Sequence, residues 1–129
     1  MPSLRSNRRR SPLLWVLFGL SGRVSRSVYW LCYAAVVCIQ SAILSQLFGA
    51  EEASYYQFAA AIGPGVLLAT LYSNLAVSVK RLHDVGYSGF LALALLVPFV
   101  NVAFTLWIGI LPGTAGPNSY GAAPDMPPP

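Results

Sequence analysis

Three stretches of about twenty residues, 28–48, 58–79 and 90–111, contain no charged side chain. About twenty apolar residues cross the ~30 Å hydrocarbon layer of a bilayer as a helix. Only a helix satisfies its own backbone hydrogen bonds where no water is available. The pattern therefore reads as an all-α membrane protein with three transmembrane helices. The chain has 129 residues, which is room for one domain, and only 9% of them are charged. A soluble domain carries roughly 25%, and one with so little charge would struggle to cover its surface.

The charges that remain are placed asymmetrically. Arg5, Arg8, Arg9, Arg10, Arg23 and Arg26 precede the first stretch, and Lys80 and Arg81 lie between the second and third. The other loop carries only Glu51 and Glu52, and the tail only Asp125. Lys and Arg accumulate in cytoplasmic loops, so the expected threading is multi-pass through a membrane. The N-terminus is then cytoplasmic and the C-terminus periplasmic. The net charge of +4 suits anionic lipid head groups rather than nucleic acid, because the cations flank apolar spans instead of interleaving with aromatics on a polar module.

Outside the spans, residues 1–11 read as a disordered basic N-terminus and residues 112–129 as a Gly/Pro-rich tail. Between them, residues 12–111 form the transmembrane domain. Residues 12–18 read as a short interfacial segment, with Trp15 and Phe18 at head-group depth. Arg8 to Phe18 loosely imitates an export signal. The apolar run is short, however, and Arg23 and Arg26 follow it without a small-residue cleavage site. Cys32 and Cys38 are six apart, on different faces of a helix, and read as apolar fillers. With a single histidine in the chain, neither a metal site nor a cofactor site is indicated.

Polar side chains interrupt the spans. Side-chain amides facing lipid are expensive, so Gln40, Asn74 and Asn101 should face the bundle. Counting from the span starts places Gln40 and Asn101 at a similar depth, which predicts that they approach one another near the midplane. Pro64 in the second span predicts a kink, or else a helix that starts there.

Two constellations collect on the expected cytoplasmic side. In the first, Gly22 permits a turn, Ser25 or Ser27 can cap the first span, and Arg23 and Arg26 can share a face ahead of Tyr29 and Trp30. This is a reasonable seat for a phosphate or carboxylate. In the second, Lys80 and Arg81 complement the negative end of a helix dipole, His83 and Asp84 sit at the turn, and Gly86 and Gly89 let the chain reverse. Asp84 either orients His83 as a general base or pH-sensitive switch, or pairs with Arg23, Arg26 or Arg81 to pin the N-terminal segment. No catalytic residue is assigned, since no nucleophile or second carboxylate is placed beside the histidine.

These stretches resemble a family of small bacterial inner-membrane proteins known as domain of unknown function 805. Its pattern looks like F-x-G-R-x-x-R-x-x-Y-W, then R-L-H-D-x-G-x-S-G, then G-x-x-G-x-N-x-Y-G. The first matches Phe18, Gly22, Arg23, Arg26, Tyr29 and Trp30, with a slightly longer gap after the phenylalanine. The second matches Arg81, Leu82, His83, Asp84, Gly86, Ser88 and Gly89. The third matches Gly113, Gly116, Asn118, Tyr120 and Gly121. The resemblance implies a bacterial inner membrane and a few helices, and no established activity. Three crossings would leave the third motif on the far side from the other two.

The functional expectation is a non-enzymatic accessory or interaction protein. Its cytoplasmic-face residues Arg23, Arg26, Tyr29, Trp30, Arg81, His83 and Asp84 would bind an anionic lipid head group or a partner protein. The alternative is a small membrane enzyme or transporter subunit using the His83/Asp84 pair. A homo-oligomeric pore built on Gln40, Asn74 and Asn101 is a third possibility.

Overall fold

Pro98 decides the architecture. In the computed structural model, which describes residues 11–49 and 51–128, the third apolar stretch is not the single helix expected over 90–111. It is a 3₁₀ segment, Gly89–Leu96, then a break, then the helix Val100–Ile110, here α4. Proline has no N–H to donate and disfavours helical geometry in the residue before it. Val97 is accordingly extended, at φ −93° and ψ 117°. Phe99 turns the chain at φ 67° and stands 92% exposed at the apex. Each arm spans only about 16 Å, at ~2.0 Å per residue in the 3₁₀ arm and ~1.5 Å in the helix.

Both ends of this hairpin lie at the same end of the bundle. Gly89 abuts the His83 ring at its start. At its finish the Ile108 carbonyl accepts a hydrogen bond from Arg81 Nε at 3.0 Å. The chain goes out and comes back, which no single crossing helix could do.

Two other helices are long and apolar enough to cross a membrane, α2 (Arg26–Gly49) and α3 (Ala53–Val85). Ser25 Oγ accepts from the Val28 N–H at the start of α2, satisfying one of the unpaired donors of the first turn. α3 runs through Pro64 as one helix from Ala53, so it does not begin at the proline. Gly63 lets Ile43 of α2 approach closely; a Cβ there would lie 3.2 Å from its Cγ2. α3 ends at Gly86, whose left-handed φ of 93° suits glycine.

Pro12–Phe18 forms a short helix, α1. Its outward face is Leu13 and Leu14, while Trp15 turns into the protein and is buried. The Trp15 indole donates to the Ser21 carbonyl at 2.9 Å, and Lys80 Nζ stands 5.7 Å from its ring. Trp15 joins Val24, Tyr29, Val77, Leu82, Ala92 and Ile108 in the core. That core sits at the hairpin-base end of the bundle, directly beneath the charged residues. The first ten residues, expected to be disordered, lie outside the described residues.

Candidate functional site

The hairpin delivers residues 112–128 to the end of the bundle where α2 begins and α3 ends. There the tail meets Arg23 and Asp84, so all three sequence motifs occupy one place. Arg23 Nε and Nη2 reach Asp84 Oδ1 at 3.0 and 2.9 Å. Arg23 Nη1 donates to the Gly116 carbonyl at 2.7 Å and the Gly121 carbonyl at 3.2 Å, and Nη2 to the Thr114 carbonyl at 2.7 Å. On the other side of the carboxylate, Arg81 Nη1 reaches Asp84 Oδ2 at 2.5 Å. Arg81 Nε and Nη2 donate to the carbonyls of Ile108 and Leu111, at the end of α4.

Both guanidiniums are fully buried. An arginine has five N–H donors in a fixed fork, and here the two forks clamp one carboxylate between α3, the end of α4 and the tail. A buried charge left unpaired is expensive, whereas a fully hydrogen-bonded set is tolerated. Among the described residues no buried side-chain nitrogen or oxygen lacks a partner. The tail is tied further by its backbone. Thr114 N–H donates to the Asp84 carbonyl at 2.7 Å, and Asp125 N–H to the Arg23 carbonyl at 2.9 Å.

The start of α2 read as an anion seat, and it is occupied from within. Asp125 Oδ1 accepts the Ser25 N–H at 2.8 Å. Sequence reasoning assigned Asp125 no role; a lone acidic residue in a Pro-rich tail carries no signal of its partner. The tail residues Thr114, Gly116 and Gly121 were equally unassigned as site residues, although the third motif pointed to two of them.

His83 and Asp84 do not form a pair. Asp84 faces the two arginines, while His83 Nδ1 lies 3.1 Å from the Gly22 carbonyl. A carbonyl only accepts, so Nδ1 carries the proton and Nε2 is left as an acceptor. The imidazole stacks on Tyr120, with centroids 3.9 Å apart and planes within 4°. Asn118 Nδ2 donates to the His83 carbonyl at 2.8 Å. His83 also borders a cavity of about 450 Å³ with Ser88, Phe90 and Tyr120. Burial and nearby Lys80 hold the His83 pKa below its ordinary 6.5, although the Gly22 hydrogen bond works the other way. Lys80, just past the charge-free stretch 58–79, is pushed down to about 8 by burial. Its Nζ donates to the carbonyls of Ala76 and Gly19.

Tyr29 and Trp30 fasten α2 to α4. The Tyr29 hydroxyl donates to the Thr105 carbonyl at 3.3 Å and the Trp30 indole to the Gly109 carbonyl at 3.2 Å. Arg26 is exposed, with a 3.4 Å contact to the Ile110 carbonyl.

The expected approach of Gln40 to Asn101 is not what the structure shows. Gln40 Nε2 donates to Thr70 Oγ1 at 3.2 Å. Asn101 instead shares a cavity with Asn74. The break at Pro98 is the reason, because Asn101 starts the returning arm and its depth counts from Ile110 rather than from Phe90.

The family model described as "Protein of unknown function (DUF805)" matches residues 17–122. The inner membrane protein YhaI of Escherichia coli is 36% identical over 108 residues, covering 82% of this chain and 86% of the relative. The inner membrane protein YhaH of the same organism is 29% identical over 118 residues, covering 85% and 90%. The uncharacterized protein YiiR, also from E. coli, is 32% identical over 101 residues, covering 75% and 61%. No solved structure gives a significant match. The matched span begins beside Phe18 and ends just past Gly121, taking in both arginine-bearing motifs and the tail that closes on them, and the chain accordingly belongs to the DUF805 family of membrane proteins of unknown function.

Proposed function

We propose that this is a non-enzymatic integral membrane module whose Arg23–Asp84–Arg81 clasp is structural. Its attraction for anionic lipid head groups comes from Arg26 and the arginine-rich N-terminal segment. In this reading α2 and α3 cross the bilayer and the Gly89–Ile110 hairpin enters and leaves on the cytoplasmic side. Both termini are then cytoplasmic, and the clasp lies at the inner head-group level. The supporting observation is the contrast in burial. Arg23, Lys80 and Arg81 are fully buried with internal acceptors, whereas Arg26 is open. A basic residue near an anionic surface contributes about 1 kcal/mol, and a guanidinium already saturated by carbonyls has no donors left to offer.

Retention of phosphatidylglycerol against phosphatidylcholine by the purified protein, measured by native mass spectrometry, tests this. Arg26→Glu should lower the preference for phosphatidylglycerol while leaving the fold intact. Unchanged retention would remove Arg26 from the reading. The alternative of an enzyme or transporter subunit using His83 and Asp84 together draws no support from the geometry, because the Asp84 carboxylate is engaged by both arginines.

A further inference from the structure

Between α2, α3 and the hairpin lies a cavity of about 290 Å³. Its depth can be read from three elements independently. Tyr33 is seven residues beyond Arg26, Asn74 seven before Arg81, and Asn101 seven before Ile108. At ~1.5 Å per residue each lies about 10 Å inward from the level where Arg26 meets Ile110 and Arg81 meets Ile108. Three helices thus place one tyrosine and two asparagines at the same height, inside the apolar length of the bundle.

The lining is uncharged. Tyr33, stacked on Tyr29, and Tyr72, stacked on Phe18, border it with their rings, Asn74 and Asn101 supply amides, and leucines supply much of the remaining wall. Both asparagines are half-buried, and among the described residues neither carboxamide has a hydrogen-bond partner. They open onto the cavity. An amide left without a partner at hydrocarbon depth is unfavourable, and intramembrane polar groups that face a cavity mark ligand positions. Gln40, by contrast, is satisfied by Thr70 within the protein.

We propose that this cavity binds the head of a neutral, membrane-dissolved lipid that carries carbonyl or hydroxyl groups on a ring, the chemistry of a quinone. The class follows from the lining. With no charged wall residue, a phosphate or ammonium head is left uncompensated. Carboxamides both donate and accept, so they suit a ring carbonyl through Nδ2 and a ring hydroxyl through Oδ1. Flanking tyrosines suit a flat ring. The lipid tail leaves past Leu68 and Leu71, both exposed on the outer surface of α3. This inference does not depend on Arg26 binding head groups; it requires only that the bundle be embedded in lipid.

Binding of decylubiquinone to the full-length protein in detergent, followed by native mass spectrometry and by quenching of intrinsic fluorescence, tests it. Saturable binding is expected. The Asn74→Leu/Asn101→Leu double variant should bind roughly tenfold more weakly or worse while keeping its melting temperature. Dioleoylglycerol, neutral and hydroxylated but ringless, should not displace the quinone. Should the double variant fail to fold, Leu71→Trp, which fills the cavity from its lipid side, must block binding instead. No saturable binding by the wild type, equal binding by a folded cavity variant, or displacement by dioleoylglycerol would each overturn the proposal. A cavity occupied by water alone, or by a second copy of the chain, would show itself as the first of these.

Discussion

Arg23 and Asp84 are sixty-one positions apart and meet through two contacts to one carboxylate oxygen, at 3.0 and 2.9 Å, with both side chains shielded from water. Arg23 lies ahead of α2 and Asp84 lies near the end of α3. The pair therefore closes the α2–α3 hairpin at the end opposite its connecting loop. Because Arg23 also grips three tail carbonyls, one side chain joins three segments that are remote in the chain.

Removing the shared anion should be costly. Asp84→Ala leaves Arg23 and Arg81 buried side by side without a counter-charge, a change that typically costs about 3–5 kcal/mol. Unfolding in mixed detergent should show a loss of that order, and limited proteolysis should cut the released tail. A loss under about 1 kcal/mol would show that the clasp carries little of the stability.

Gly113 offers a steric test of tail docking that leaves charge unchanged. A Cβ at this position would fall against the Asp84 carboxylate, so Gly113→Ala should cost about 1–3 kcal/mol through overpacking. Gly65→Ala is the matched control. It meets nothing within 4 Å and lies inside α3, so it should be neutral or stabilising by up to about 1 kcal/mol. Equal effects from the two would sink the docking argument.

Acidification should weaken the protein through His83. Its folded-state pKa lies below the ordinary 6.5, so the unfolded state binds the proton more readily. Its contribution is complete above pH ~6.5 and is lost as pH falls toward the folded value. Melting temperatures between pH 7.5 and 5 should fall more steeply for the wild type than for His83→Gln. Parallel curves would remove His83 as the source.

Threading is open to reporter fusions. Fusions after Gly86 and after Asp125 should report the same side, and a fusion after Ala53 the other. If the Asp125 fusion instead agrees with Ala53, the third apolar segment crosses the bilayer and the tail cannot reach Arg23.

The two long helices and the pull of cations toward one end were legible because each is a sum over neighbouring residues. Hydropathy over twenty positions and the absence of charge from 28–48 and 58–79 need no tertiary partner. The cap at Ser25 and the turn at Gly86 were legible for the same reason, being interactions within a few residues. The reading failed at the third stretch, where Val97-Pro98 carried the break but apolar length outweighed it. From that one error followed the misplaced tail and the mistaken meeting of Gln40 with Asn101.

What the sequence by itself determined is local: two apolar helices with their cations gathered at one end, and the family to which they belong. What only the tertiary structure decided is which polar groups answer one another. A guanidinium with five donors suits many partners equally well; the sequence offered Asp84 to Arg23, Arg26 or Arg81 without choosing among them, and nothing along the chain distinguishes one carbonyl from another. The reversal at Pro98 made that choice. It returned the tail to Arg23, committed two arginines to one carboxylate, and left Asn74 and Asn101 facing an open cavity.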